Sequence, residues 1–174
     1  MRASLRRVNT LTGLLVLGLT LLVRPAVADE MVGRFSNDWT GNGLEVQAVA
    51  DPKVQGVTCH LVDFDRSLID RLSKGNWFED PSNASIACRQ TGPVSVGDID
   101  LSAKGEEVFS ERKSLIFKSI AIRRIYDRVN DTLVYVVYSR QVKDASAKMS
   151  ISTVPLFQAN AQWAKGKPVV AKKG

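Results

Sequence analysis

The stretch SLIFKSIAIRRIYDRVNDTLVYVVYSR, residues 114–140, decides the fold. Its two arms, SLIFKSIAIRRIYD and TLVYVVYSR, are rich in β-branched and aromatic residues, which suit a pleated, half-buried surface. Polar turn formers in DRVND, residues 127–131, lie between them, so the stretch predicts a long β-hairpin. Leu115 and Phe117 alternate in one phase and Ile120 and Ile122 in the other, which places a bulge near Ser119. Arg124 shares its phase with Ile120, Ile122 and Tyr126, while Arg123 takes the opposite face. A charge on the apolar side needs a partner, so the pattern predicts a buried ion pair between Arg124 and a core-side acid. The competing reading is a basic, aromatic strand surface for an anionic ligand, built from Lys113, Lys118, Arg123, Arg124 and Arg128 with Phe117 and Tyr126.

Upstream, the same alternation recurs. GLEVQAVA, residues 43–50, sets Leu44, Val46 and Ala48 against Glu45 and Gln47. After a turn through Asp51-Pro52, GVTCHLVD puts Val57, Cys59 and Leu61 on one face. ASIACRQ, residues 84–90, puts Ile86 and Cys88 on one face. Between these strands, Leu68, Ile69 and Leu72 with Gly75 behind them predict a short helix over 66–75. Residues 91–107 read as turn-rich, and KMSISTV predicts a last strand that stops at Pro155. The expected fold is mainly β: an antiparallel sheet or sandwich of about six or seven strands with at most one short helix.

At the N-terminus, MRASLRRVNT carries three arginines and no acid, an apolar run follows from Leu11 to Val23, and Ala26 and Ala28 stand at A-x-A spacing. This is the pattern of a secretory signal peptide cleaved after Ala28, and the run is too short to span a bilayer. The expected organisation is a leader at 1–28, one domain at 29–160 and a flexible lysine-bearing tail at 161–174, located in the periplasm. Charge follows the same division. The chain holds 24 Lys+Arg and 18 Asp+Glu, but the leader takes four arginines and the tail four lysines. The remaining domain has a slight acidic excess, which excludes the basic folded face of a nucleic-acid binder.

An oxidising compartment turns paired thiols into disulfides, and Cys59 and Cys88 are the only two cysteines. Both sit on the apolar phase of their strands, so they are expected to join as a structural disulfide. Their spacing is far from C-x-x-C, which argues against redox catalysis. Two cysteines and the single histidine, His60, are too few for an ordinary zinc site. His60 points away from its neighbour Cys59, so the two do not make a nucleophile–base dyad. Asp63 with Asp65, Asp98 with Asp100, and Glu106 beside Glu107 lack the offsets of an EF-hand loop, and a solvated turn is the reading for 98–100. No catalytic, cofactor-binding or metal residue is assigned.

DPKVQGVTCHLV, ASIACRQTGPV, GEEVFSERKSLIFKSIAIRRIYD, LVYVVYSR and SISTVP together resemble the CreA family of small bacterial periplasmic proteins. The resemblance runs from about Leu44 to Pro155; FSNDWTGN and the lysine-bearing tail fall outside it. It implies a link to catabolite regulation through the family name and no established activity or catalytic residue. The expected function is a non-catalytic binding or interaction protein of the cell envelope, needing no cofactor and meeting an envelope protein or a small ligand. The alternative is an unrecognised periplasmic enzyme acting on a small molecule.

Overall fold

A computed structural model describes residues 30–39, 42–65, 84–112, 119–140 and 149–169. These form nine strands: β1 (Glu30–Ser36), β2 (Gly43–Ala50), β3 (Val54–Asp65), β4 (Ser85–Val96), β5 (Glu106–Arg112), β6 (Ser119–Asp127), β7 (Thr132–Arg140), β8 (Met149–Pro155) and β9 (Gln162–Trp163). One sheet runs in the order β1-β2-β3-β4-β9, the other β5-β6-β7-β8. Every pairing is antiparallel except β4 with β9. The mainly β architecture matches the alternation of the sequence, and no helix occurs among the described residues. The helix read over 66–75 lies outside the described residues, as do Leu115 and Phe117.

The hairpin of residues 114–140 appears as β6 and β7, in unbroken register from Ser119↔Arg140 to Asp127↔Thr132. Among the described residues, bulges fall between Met31 and Gly33, Gln55 and Val57, and Glu107 and Phe109, while the bulge read near Ser119 rests on residues outside the described ones. One core fills the space between the sheets. Val57, Cys59 and Leu61 of β3 and Cys88 and Val96 of β4 face Ile122 of β6 and Leu133, Tyr135 and Val137 of β7. Alternate residues of each strand point the other way, as the period of two requires. Sheet stacking is closest where β4 meets β7 and β8. There the Cys88 amide donates to the Ser152 hydroxyl at 2.8 Å.

Three strands escape the sequence pattern. β1 is exposed along most of its length and has no buried phase to alternate. β5, EEVFSER, reads as polar. β9 has two residues, in the segment expected to be a tail; they run alongside Ser95 and Val96, and the Trp163 ring meets Tyr126 edge-on with centroids 5.1 Å apart. β4 also continues through TGPVSV, which reads as a turn. The bulge at Gln55/Val57 takes up that irregularity. Gly56 there has φ +76°, and a Cβ on it would lie 2.2 Å from the Pro93 carbonyl oxygen, so only glycine permits the two backbones to approach. In β2, Leu44, Val46 and Ala48 pair with Phe64, Val62 and His60. They therefore line the face opposite Cys59 and Leu61 and form a second, half-buried apolar layer on the outside of the sheet.

Candidate functional site: a buried charge cluster

The cluster begins at the tight turn between β2 and β3. Asp51 is buried there, and its Oδ1 accepts the amides of Lys53 at 2.8 Å and Val54 at 3.1 Å. This is the Asx-type geometry that makes Asp-Pro sequences turn. The turn aims the carboxylate at the other sheet. Arg124 of β6 reaches it with Nη1, which donates to both Asp51 oxygens. The Tyr135 hydroxyl of β7 donates to Oδ2 at 2.8 Å. Arg124 Nη2 donates to Glu106 Oε2 at 2.7 Å, and Lys53 Nζ pairs with Glu106 Oε1. Glu106 stands directly opposite Arg124 in the β5–β6 ladder.

Arg124 is only 1 % exposed. A charge so deep is tolerable only when its donors are matched, and here two carboxylates face one guanidinium and one ammonium. Burial opposes ionisation of Glu106, but the Lys53 hydrogen bond and the Arg124 charge outweigh it and hold the carboxyl below the usual glutamate range. Burial, then the Asp51 charge, push the Tyr135 hydroxyl far above the ordinary tyrosine range. Tyr135 is therefore a neutral hydrogen-bond donor at neutral pH.

Gly105 sets the approach of β5. Its φ is +60°, and a Cβ there would lie 2.1 Å from the Arg124 carbonyl oxygen. Glycine alone lets the chain turn against β6 and present Glu106 to the guanidinium. Its neighbour Glu107 points the other way, pairing with Arg140 and accepting from the Tyr138 hydroxyl at 3.4 Å. Arg123 also faces outward and donates to the carbonyls of Lys104 and Gly105 at 3.0 and 3.2 Å. The two neighbouring arginines thus have separate tasks: Arg124 is inside the ion-pair cluster and Arg123 braces the loop before β5.

Cys59 and Cys88 lie directly opposite one another in the β3–β4 ladder and are disulfide-bonded, with Cα atoms 3.9 Å apart. Such close spacing marks a pair whose amides point away from each other, and the Cys88 amide accordingly turns to Ser152. Both cysteines are buried. His60 is half-buried on the opposite face of β3, away from the sulfurs.

Asp98 and Asp100 find separate partners, as do Glu106 and Glu107, while the Asp65 side chain lies outside the described residues. Asp98 pairs with Lys165 at 2.7 Å, and Asp100 accepts the Ser102 amide at 2.7 Å in a turn. Asp63 is buried and accepts the Phe64 amide at 2.8 Å. Among the described residues no group of three or more His, Cys, Asp or Glu side chains is placed to hold a metal. Asp51, Lys53 and Tyr135 are the members of the cluster that sequence reasoning passed over. Asp51 reads only as a turn former and Tyr135 only as an aromatic residue of a strand; the inward phase of Arg124 is the one signal that an acid must be near.

Chemically the cluster is an internal brace. Arg124 ties the β2–β3 turn to β6 and to its ladder partner Glu106 of β5, and its bonds to Asp51, with those of Tyr135 to Asp51 and Lys53 to Glu106, join one sheet to the other.

Comparison with known proteins places this architecture. The family model described as CreA protein matches residues 32–159. Protein CreA of Escherichia coli strain K12 is 35 % identical over 151 residues, covering 82 % of this chain and 94 % of that protein. The proteins of the same name from Escherichia coli O6:H1 and O157:H7 match to the same extent. No solved structure matches the chain. The extent of these two agreements, over most of the two-sheet domain and both cysteines, establishes that the chain belongs to the CreA family.

Proposed function

We propose that this chain is a non-catalytic interaction protein of the bacterial periplasm, exported with its leader cleaved after Ala28 and docking an envelope protein on the outer face of the β5–β8 sheet. The observation that carries the reading is the β8 margin of that face. Met149 and Ile151 are 70 % and 64 % exposed, and the ladder backs them with Tyr138 and Val136. Large apolar side chains held in water on a rigid sheet are the raw material of a protein interface. The charged groups, by contrast, are spent on one another inside the cluster, which makes it a poor general acid or base. Export rests on the leader pattern of residues 1–28, a basic start, a short apolar run and A-x-A spacing before Asp29. A link to catabolite regulation has only the family resemblance behind it.

Two measurements test this. Intact mass of protein recovered from the periplasm should correspond to a chain beginning at Asp29; a mass retaining residues 1–28 defeats the export reading. Immobilised protein should then capture a defined envelope partner, Ile151→Asp should abolish capture, and Gln55→Asp, at an exposed position of the other sheet, should leave it intact. Capture indifferent to Ile151→Asp refutes the assignment of this face.

A further inference from the structure

The last described segment of the chain crosses one end of the sandwich. After Leu156, which is buried, it turns at Asn160 and enters β9. There it adds a parallel strand to the outer edge of β4. Gln162 and Trp163 lie alongside Ser95 and Val96, and the Ala164 amide donates to the Val96 carbonyl at 2.9 Å. A tight turn follows, closed by the Gly166 amide on the Trp163 carbonyl at 3.2 Å, with Gly166 at φ +77°. The turn brings two lysines back onto the body. Lys165 pairs with Asp98 at 2.7 Å. Lys167 pairs with Asp131 of the β6–β7 turn, whose other oxygen accepts from the Tyr126 hydroxyl at 2.8 Å.

Main-chain pairing to a strand edge, with side-chain pockets alongside, is how a sheet holds an extended peptide. Here the ligand is the chain itself, and the grip is light. Only two residues pair with β4. Both lysines reach their partners through exposed side chains, and such surface ion pairs contribute little. Trp163 Nε1 is buried with no hydrogen-bond partner among the described residues, which works against the docked position. The residues that receive the segment, Ser95, Val96, Asp98, Tyr126 and Asp131, all fall within the family match, which stops at residue 159; the segment lies beyond it.

We propose that this end of the sandwich is a strand-addition groove for a peptide segment of another protein, and that residues 162–167 occupy it as a built-in, displaceable copy of that ligand. The docked segment shows what fits: an aromatic residue closing a short strand, with basic residues two and four positions further on across a glycine turn. The β4 edge supplies the main-chain partners, the Tyr126 ring receives the aromatic residue, and Asp98 and Asp131 set the two basic positions. Tethering holds the chain's own segment near the groove at about millimolar effective concentration, so the groove is closed until a partner out-competes it. The site is separate from the outer face of the β5–β8 sheet and stands without that reading.

A labelled peptide of residues 160–169 is the probe. In the full-length chain, Trp163→Ala with Lys165→Ala and Lys167→Ala should release the segment. Fluorescence anisotropy should then show the peptide bound about tenfold or more tightly than by wild type, whose own segment competes. Lys165→Glu in the peptide should weaken binding, and Asp98→Lys in the released chain should restore it for that peptide alone, a rescue that a merely structural strap would not show. Hydrogen exchange in wild type is an independent measurement: excess peptide should speed exchange of the chain's own residues 160–169 and leave Val96 protected. Should the triple variant fail to fold, this exchange experiment decides. A folded triple variant that binds no better than wild type, or exchange unmoved by peptide, overturns the proposal and makes the segment a fixed part of the fold. Failure of the Asp98→Lys rescue refutes the assigned charge positions. A wild-type dimer that is lost on Trp163→Ala gives the groove to a second copy of this chain and overturns the foreign-peptide reading.

Discussion

Arg124 of β6 and Asp51 of the β2–β3 turn, 73 residues apart in the chain, form a buried ion pair that couples the two sheets of the sandwich. The pair is asymmetric in its dependence. Asp51 has two backbone amides and the Tyr135 hydroxyl as further donors, whereas Arg124 has Glu106 as its second carboxylate. Removing the arginine therefore strands more buried charge than removing any single acceptor.

Arg124→Leu should destabilise the domain by about 3–5 kcal/mol, since it leaves the Asp51 carboxylate buried without its main counter-charge. Adding Asp51→Asn to that variant should recover part of the loss, and Tyr135→Phe alone should cost about 1–2 kcal/mol. Urea unfolding of the single and double variants checks this; additive losses from Arg124→Leu and Asp51→Asn would deny the coupling.

Reduction of the Cys59–Cys88 bond should lower stability by about 2–5 kcal/mol, and the chain-entropy relation for the 29-residue separation gives about 3.5. Because both cysteines are buried, the bond should resist reductant in folded protein and yield quickly once denaturant is added. Thiol labelling with and without urea measures the difference. Free thiols in unreduced, unfolded protein would contradict the bond.

Acid should weaken the fold through Glu106. Its carboxyl is held below the ordinary value in the folded chain, so the unfolded chain takes up a proton first as pH falls. The stabilisation is fully present above the unfolded pKa of about 4.3 and disappears as pH drops through the folded value. The urea midpoint should thus be steady from neutrality to about pH 5 and decline below about pH 4. Glu106→Gln should start from a lower midpoint and show a shallower decline.

Gly105→Ala should cost about 3 kcal/mol, from left-handed backbone strain and a Cβ driven into the Arg124 carbonyl. Differential scanning calorimetry reads this as a lower Tm. An unchanged Tm would mean that β5 can shift without loss of the Glu106–Arg124 contact.

What the sequence discloses is what local alternation encodes. β6 and β7 announce themselves because each buries one complete face, and the same rhythm sets Val57, Cys59 and Leu61 together in β3. β1 and β5 are harder to see, since strands with exposed or charged side chains carry no period-two contrast. β4 is hidden beyond Gln90 because Gly92-Pro93 imitates a turn, and the opposing bulge at Gly56 permits the strand to continue. The phase of Arg124 is local information; the identity of Asp51 as its partner is not. That contact depends on how a turn in one sheet meets the middle of a strand in the other, and nothing within 73 residues of chain marks it.

The disulfide also fixes how β3 and β4 slide past one another. Strand pairing has many nearly equivalent offsets, and a one-residue offset would turn a whole face outward. Cys59 can meet Cys88 at only one of them, the offset that also sets Leu61 opposite Ile86 and Val57 opposite Gln90. Oxidation thereby selects a single alignment from a ladder of competitors, and a folding chain that forms this bond keeps that alignment even while the rest of the sandwich is still loose.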